Sequence, residues 1–195
     1  MLTKQIAAYN NQQAVRKVNL NSAYSALGSN YFRFYDTDLA EAVTLTGQLT
    51  IRWIARDVNA YLNRILKTNA DYVIASDTDS IYVNLGVLVR QEDAFTGRTK
   101  DQIVTMLDRF CEQRIQQVID TSLDALAKYL NVAVPCLSMK REVIADKGVW
   151  TAKKRYMLNV YDTEGVRHST PKLKMMGIEA VKSSTPALAR QVLTR

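Results

Sequence analysis

A single histidine, His168, and two cysteines, Cys111 and Cys136, leave this 195-residue chain without the ligands of a structural zinc site. The cysteines have no metal-type spacing and read as small buried hydrophobes in a reducing compartment. Only seven glycines and three prolines are present, which excludes long low-complexity linkers. No run of about 18 apolar residues occurs, so no membrane span is expected. The first residues, Met1-Leu2-Thr3-Lys4-Gln5, lack the apolar centre of a signal peptide. A cytosolic location is expected.

What is there is apolar and basic. At 47% hydrophobic the chain can bury a sizeable core, as one compact domain or one domain plus an appendage. Lysine and arginine number 26 against 19 acids, a formal charge of +7, which suits a polyanionic partner such as nucleic acid and equally a surplus of surface lysines.

Helical composition predicts a first helix over residues 4–27, broken by Gly28-Ser29-Asn30. Tyr31 to Tyr35 reads as a short aromatic strand. Asp36 or Thr37 then caps a long helix to about Leu66, with Leu45, Leu49, Trp53, Leu62 and Ile65 as its apolar stripe. A second long helix is expected from Asp101 to Leu130, burying Ile103, Leu107, Phe110, Ile115, Val118, Ile119, Leu126 and Leu130. Strands follow at Leu137–Val143, Val149–Tyr161 and Val166–Ser169, with Asp162-Thr163-Glu164-Gly165 as a turn. A helix begins after Ser183-Ser184-Thr185-Pro186. Two long helices covering one face of a small antiparallel sheet make an α+β domain, its other face open to a ligand.

The most specific signal is Asp77-Thr78-Asp79-Ser80, held between the β-prone runs Tyr72-Val73-Ile74-Ala75 and Ile81-Tyr82-Val83-Asn84. Two carboxylates two residues apart at a hairpin tip can bridge a divalent metal to phosphate oxygens. The same residues also fit a solvated turn. Asp36-Thr37-Asp38 resembles it superficially, but helix capping explains those acids fully.

Two further groups accompany the hairpin. Lys17, Asn21 and Tyr24 stand at i, i+4 and i+7 and share one helix face, either for a triphosphate and a base pair or as an ordinary solvated face. Lys153-Lys154-Arg155-Tyr156 lies in the expected strand. Alternation puts Lys154 and Tyr156 on one side and Lys153 and Arg155 on the other, suited to minor-groove acceptors and backbone phosphates or to a protected basic edge.

These three groups, in this order, resemble the family B DNA polymerases, specifically the T-even-type phage replicative enzymes. Lys17 to Gly28 matches motif B, Asp77-Thr78-Asp79-Ser80 matches motif C, and Lys153-Lys154-Arg155-Tyr156 matches the primer-binding motif. Pro171 to Gly177 and Lys182 to Pro186 look like the passage from palm to thumb. The resemblance implies a fingers helix with motif B at 1–28, a palm at 29–182 and the start of the thumb at 183–195. It implies Asp79 as ligand of two catalytic Mg²⁺ ions, with Asp77 in support and Glu142 near the second metal. Lys17 and Asn21 would contact the incoming dNTP, and Tyr24 the nascent base pair. Lys153, Lys154, Arg155 and Tyr156 would hold the primer–template DNA, with Lys154 and Tyr156 nearest the growing end.

Two positions depart from the family pattern. Ser25 stands where the family has a glycine after the motif B tyrosine, and Ala75-Ser76 replaces its Tyr-Gly before the Asp-Thr-Asp. The motif A aspartate, in an Asp-x-x-Ser-Leu-Tyr-Pro-type segment, has no match. The chain is therefore expected to act as a palm fragment or split subunit, in the cytoplasm of a phage-infected bacterium. Its partner would be an N-terminal polymerase segment carrying motif A and the exonuclease. A non-catalytic DNA-binding remnant is the alternative. A metal-dependent nuclease is disfavoured because Asp77, Asp79 and Glu142 are too few acids.

Overall fold

The computed structural model of the chain describes residues 2–91 and 93–193. Met1, Glu92, Thr194 and Arg195 lie outside the described residues, and with them the ends of the fingers segment expected at 1–28 and of the thumb segment expected at 183–195. The chain divides into two compact units, with the boundary between Thr50 and Ile51.

In the first unit, helix α1 spans Leu2–Leu27 and buries no stripe of side chains between residues 4 and 25. Helix α2, Thr37–Leu66, starts where Asp36 Oδ1 accepts the Leu39 backbone N–H at 3.0 Å. That cap is worth about 1 kcal/mol and accounts for the upstream Asp-Thr-Asp. The expected strand at Tyr31–Tyr35 is instead a pair of turns. Phe32 N–H donates to Ser29 O at 2.9 Å and Tyr35 N–H to Phe32 O at 3.0 Å, so the backbone is satisfied locally and needs no partner strand.

In the second unit the buried stripe of α2 is Ile54, Val58 and Leu62, at i, i+4 and i+8. The sequence placed the stripe through Leu45, which is 52% exposed. Lys67 turns left-handed at φ 53°, and Thr68 N–H reaches back to Asn63 O at 3.1 Å, closing the helix in a Schellman arrangement with lysine in the glycine place.

Strands β1, Val73–Asp77, and β2, Ser80–Val83, form the expected antiparallel hairpin. A short helix, α3, covers Gly86–Gln91. Helix α4, Lys100–Phe110, opens with a full capping box between Thr99 and Gln102. A π-helical turn, Cys111–Ile115, joins it to α5, Gln116–Tyr129, so the expected single helix carries one extra residue of slack. The turn re-aims the apolar face. Ile115, Ile119 and Leu123 then pack with Ile54, Val58, Leu62 and Tyr72 in one core, against which Ile81 and Val83 of β2 also rest. Each such fully buried side chain contributes roughly 1.5–3 kcal/mol.

Three long strands follow: β3, Val143–Ala152, β4, Arg155–Thr163, and β5, Val166–Met176, antiparallel in the order β3-β4-β5. The fold is α+β as expected, but its strands form two sheets, not one. Three further boundaries differ from expectation. Residues 137–142 form no strand, and Gln116 Nε2 donates to Met139 O there at 2.9 Å. The expected strand Val149–Tyr161 is broken at Lys153-Lys154 by a hairpin turn. Strand β5 continues past Ser169 through Pro171, which an edge strand tolerates because no N–H is needed there. Helix α6, Ala187–Leu193, begins after Pro186 as expected.

Ionic packing supports this sheet. Asp162, 1% exposed on β4, accepts from Arg141 Nη1 at 2.5 Å, from Gly165 N–H at 3.0 Å and from Arg167 Nε at 3.4 Å. Arg141 also meets Asp108, and Arg167 meets Asp101, both on α4. The buried charge is thus shared between helix and sheet. Burial pushes the Asp162 carboxyl up, but the two arginines and the Gly165 N–H outweigh it and hold its pKa below the usual carboxylate range.

Candidate active site

The β1–β2 hairpin is positioned by two asparagines one helical turn apart on α2. Asn59 Oδ1 accepts the backbone N–H of Tyr72 at 2.8 Å and of Val73 at 3.1 Å, and its Nδ2 donates to Asp71. Asn63 Oδ1 accepts from Ala70 N–H at 2.8 Å, and its Nδ2 donates to Ala70 O at 2.9 Å. The strand leading to Asp77 is therefore tied to a helix whose other face lies in the core.

The hairpin closes through Thr78 and Asp79. Asp79 N–H donates to Asp77 O at 2.6 Å and Ser80 Oγ donates to the same carbonyl at 3.0 Å. Thr78 sits at φ 52°, a conformation that a β-branched residue rarely adopts. Its hydroxyl donates to Asp77 Oδ1 at 3.0 Å. Asp77, at the end of β1, is half-buried, whereas Asp79, in the turn, is exposed. The two carboxylates thus occupy different settings. Neither has an ion-pair partner among the described residues.

Tyr82, three residues beyond Asp79, seats this hairpin on the second sheet. Its ring lies 5.4 Å from Trp150 on β3 and 5.3 Å from Tyr156 on β4, edge-on to both. The Tyr156 hydroxyl is pushed to a higher pKa than usual. Burial is the first cause, its hydrogen bond to Tyr82 the second, and the negative charges of Glu142 and Asp77 add to these. The structure therefore brings Glu142 and Asp77 each within electrostatic reach of the Tyr156 hydroxyl.

Glu142 is exposed and pairs with Lys174 on β5 at 2.5 Å, while its carbonyl accepts from Glu164 N–H at 2.7 Å. Lys153 and Lys154 are exposed in the β3–β4 turn, with Lys154 at φ 62°. The expected alternation across Lys153 to Tyr156 does not hold, because a turn has no two-residue period. Tyr156 is 7% exposed, and its ring packs beside Tyr82 and Trp150. Arg155 is paired with Glu179 at 3.0 Å.

Lys17, Asn21 and Tyr24 belong to the first unit, all exposed on α1. Lys17 and Asn21 line a shallow stripe with Tyr9, Gln13, Arg16 and Leu20. Ser25, at the family's glycine position, turns its hydroxyl onto Asn21 O at 2.9 Å, a bond within the helix.

Oxygen donors of this kind suit Mg²⁺, which takes one or two protein carboxylates and completes its shell with water and phosphate. Asp77 and Asp79 fit that role as an unneutralised pair. Among the described residues no group of three or more acids, histidines or cysteines is placed to hold a metal. Residues that composition and periodicity did not single out are Asn59, Asn63, Tyr82, Arg141, Asp162 and Gly177. Their signals are tertiary, apart from the Tyr82 ring so near the acidic pair.

Among the described residues no helix is long and apolar enough to cross a membrane. Residues 2–116 match the profile of DNA polymerase family B. The chain is 41% identical over 190 residues to the DNA-directed DNA polymerase of Escherichia phage RB69, covering 93% of this chain and 21% of that protein. It is 39% identical over 193 residues to that of Enterobacteria phage T4, covering 94% of this chain and 22% of that one. The DNA polymerase alpha catalytic subunit of Leishmania donovani is 28% identical over 182 residues, 93% of this chain and 11% of the relative. The chain spans about a fifth of the length of the two phage relatives. With more than half of its residues matched to one profile, the chain belongs to DNA polymerase family B.

Proposed function

We propose that the chain is the palm portion of a DNA-directed DNA polymerase, adding nucleotides to a primer 3′ end. The observation that carries this is the ring contact of Tyr82 with Tyr156, which seats the Asp77–Asp79 hairpin against the strand that leaves the Lys153–Lys154 turn. In this reading residues 1–28 end the fingers, 29–182 form the palm and 183–195 begin the thumb. The enzyme works in the cytoplasm of an infected bacterium.

Asp79 and Asp77 would hold Mg²⁺, with Glu142 nearby. When bound, two such ions neutralise charge on the attacking and leaving oxygens. The chain's own residues bind and orient. Lys153 and Lys154 offer cations to the primer–template backbone. Tyr156 stays protonated and keeps a hydroxyl donor beside the acids. Lys17 and Asn21 supply a cation and an amide for the triphosphate, and Tyr24 a flat ring for the nascent pair. A two-metal site needs carboxylates beyond this hairpin. A polymerase segment bearing the motif A aspartate, on the same polypeptide or another, would supply them, along with the exonuclease.

Asp79→Ala separates this reading from a DNA-binding remnant. In the assembled enzyme it should lower primer extension by at least about 10³-fold, since a metal ion contributes several kcal/mol. Duplex affinity should change less than about threefold, because a carboxylate neutralises no backbone phosphate and duplex affinity comes from cations. Extension unaffected by the substitution would refute the catalytic reading.

A further inference from the structure

Strand β5 ends at Met176, paired with Tyr156 of β4. The next residue, Gly177, takes φ +63°, and its backbone runs directly under the β3–β4 turn. A Cβ placed on Gly177 would lie 2.1 Å from Lys154 O, 3.2 Å from Lys154 C and 3.4 Å from Arg155 Cγ. The clash is with backbone, so no side-chain rotation relieves it. Two residues further on, Glu179 holds Arg155 at 3.0 Å and Lys182 at 3.2 Å. A turn with no glycine, and with Lys154 itself left-handed at φ 62°, is thus braced from behind.

We propose that Gly177 and Glu179 form a backstop that fixes the Lys153–Lys154 turn for duplex binding, and that Arg155 belongs to the backstop and contacts no phosphate. Lys153 and Lys154 have no ion-pair partner among the described residues, whereas Arg155 is already engaged. Residues 177–179 are therefore positioning residues for the primer–template contact. The inference rests on the polymerase reading for its ligand, but the bracing itself does not.

Two measurements on the full chain test it. The first is native-state trypsin nicking at Lys153 and Lys154, followed by mass spectrometry without DNA. Gly177→Ala should raise the nicking rate at least about fivefold, because a local opening loosened by about 1 kcal/mol already gives that factor. An unchanged rate in a folded variant would overturn the bracing. The second is anisotropy of a labelled primer–template duplex across a salt series. Lys153→Ala and Lys154→Ala should each lower the slope of log affinity against log salt by about 0.9. Gly177→Ala should lower it by one to two such steps, and Arg155→Met should lower it by less than half a step, because the Gly177 backbone contact still holds the turn when the exposed Glu179–Arg155 pair is lost. An Arg155→Met slope reduced as much as either lysine variant would overturn the assignment of Arg155, even if Gly177→Ala failed to fold. Wild-type chain that shows braced nicking but no duplex affinity would count against the polymerase reading alone.

Discussion

The rings of Tyr82 and Tyr156 lie 5.3 Å apart at 62°, edge to face, and this contact joins the acidic hairpin to the sheet that carries the basic turn. Among the described residues no strand pairing links the two sheets, so side chains carry the registration. Trp150 completes the cluster.

Tyr82→Ala should therefore cost about 2–3 kcal/mol, less than for a fully buried aromatic because Tyr82 is half-buried. Tyr82→Phe keeps the ring and loses only the hydrogen bond to Tyr156, costing about 1 kcal/mol. With Trp53→Phe removing the only other tryptophan, Trp150 emission reports the contact directly. Tyr82→Ala should shift that emission and Tyr82→Phe should not.

The charge cluster at Asp162 gives a pH dependence. Its folded pKa lies below the ordinary value, so its contribution to stability is present above about pH 4 and is lost as pH falls through the lower, folded value. Asp162→Asn should flatten the acid limb of a stability–pH curve. Asp162→Ala should cost about 3–5 kcal/mol at neutral pH, because Arg141 and Arg167 lose their buried partner. Urea melts across pH give both.

The two cysteines should behave differently. Burial pushes the Cys111 thiol up to about 11, so it is almost wholly protonated at neutral pH. Cys136 is exposed, contrary to the expectation that both cysteines are buried. A thiol-reactive dye should label Cys136 within minutes and the half-buried, protonated Cys111 far more slowly. Equal rates at both would contradict the packing of the π-helical turn.

Thr78 occupies a left-handed backbone position at φ 52°. The penalty for a residue with a Cβ there is about 1–2 kcal/mol. Thr78→Gly should leave the melting temperature unchanged or raise it, since relief of strain offsets the added chain entropy and the lost hydroxyl bond to Asp77. Thr78→Val keeps the strain and loses the bond, and should lower stability by about 1 kcal/mol.

Much of the fold was legible where local chemistry decides it. Asp36 caps α2 because its carboxylate reaches the Leu39 N–H, and the acidic turn stands between two β-prone runs. The Glu164-Gly165 turn is also local, both residues having positive φ. The Lys153-Lys154 turn was hidden because its brace, Gly177, lies more than twenty residues away. The α2 stripe was misplaced because Ile54 and Val58 are buried by α5. That choice depends on tertiary contact, not on periodicity alone. The candidate site's acids and lysines were legible as types and spacing. What holds the acidic hairpin, Asn59 and Tyr82, was not, because those contacts join segments distant in sequence.

The most direct test of the central claim is reconstituted primer extension. The chain is incubated with Mg²⁺, dNTPs and a primer–template, alone and with a polymerase segment carrying motif A and the exonuclease. The account predicts no extension by these residues alone and templated extension on addition of that segment, abolished by Asp79→Ala. Extension by the isolated chain, or none with any such segment while duplex binding persists, would contradict it.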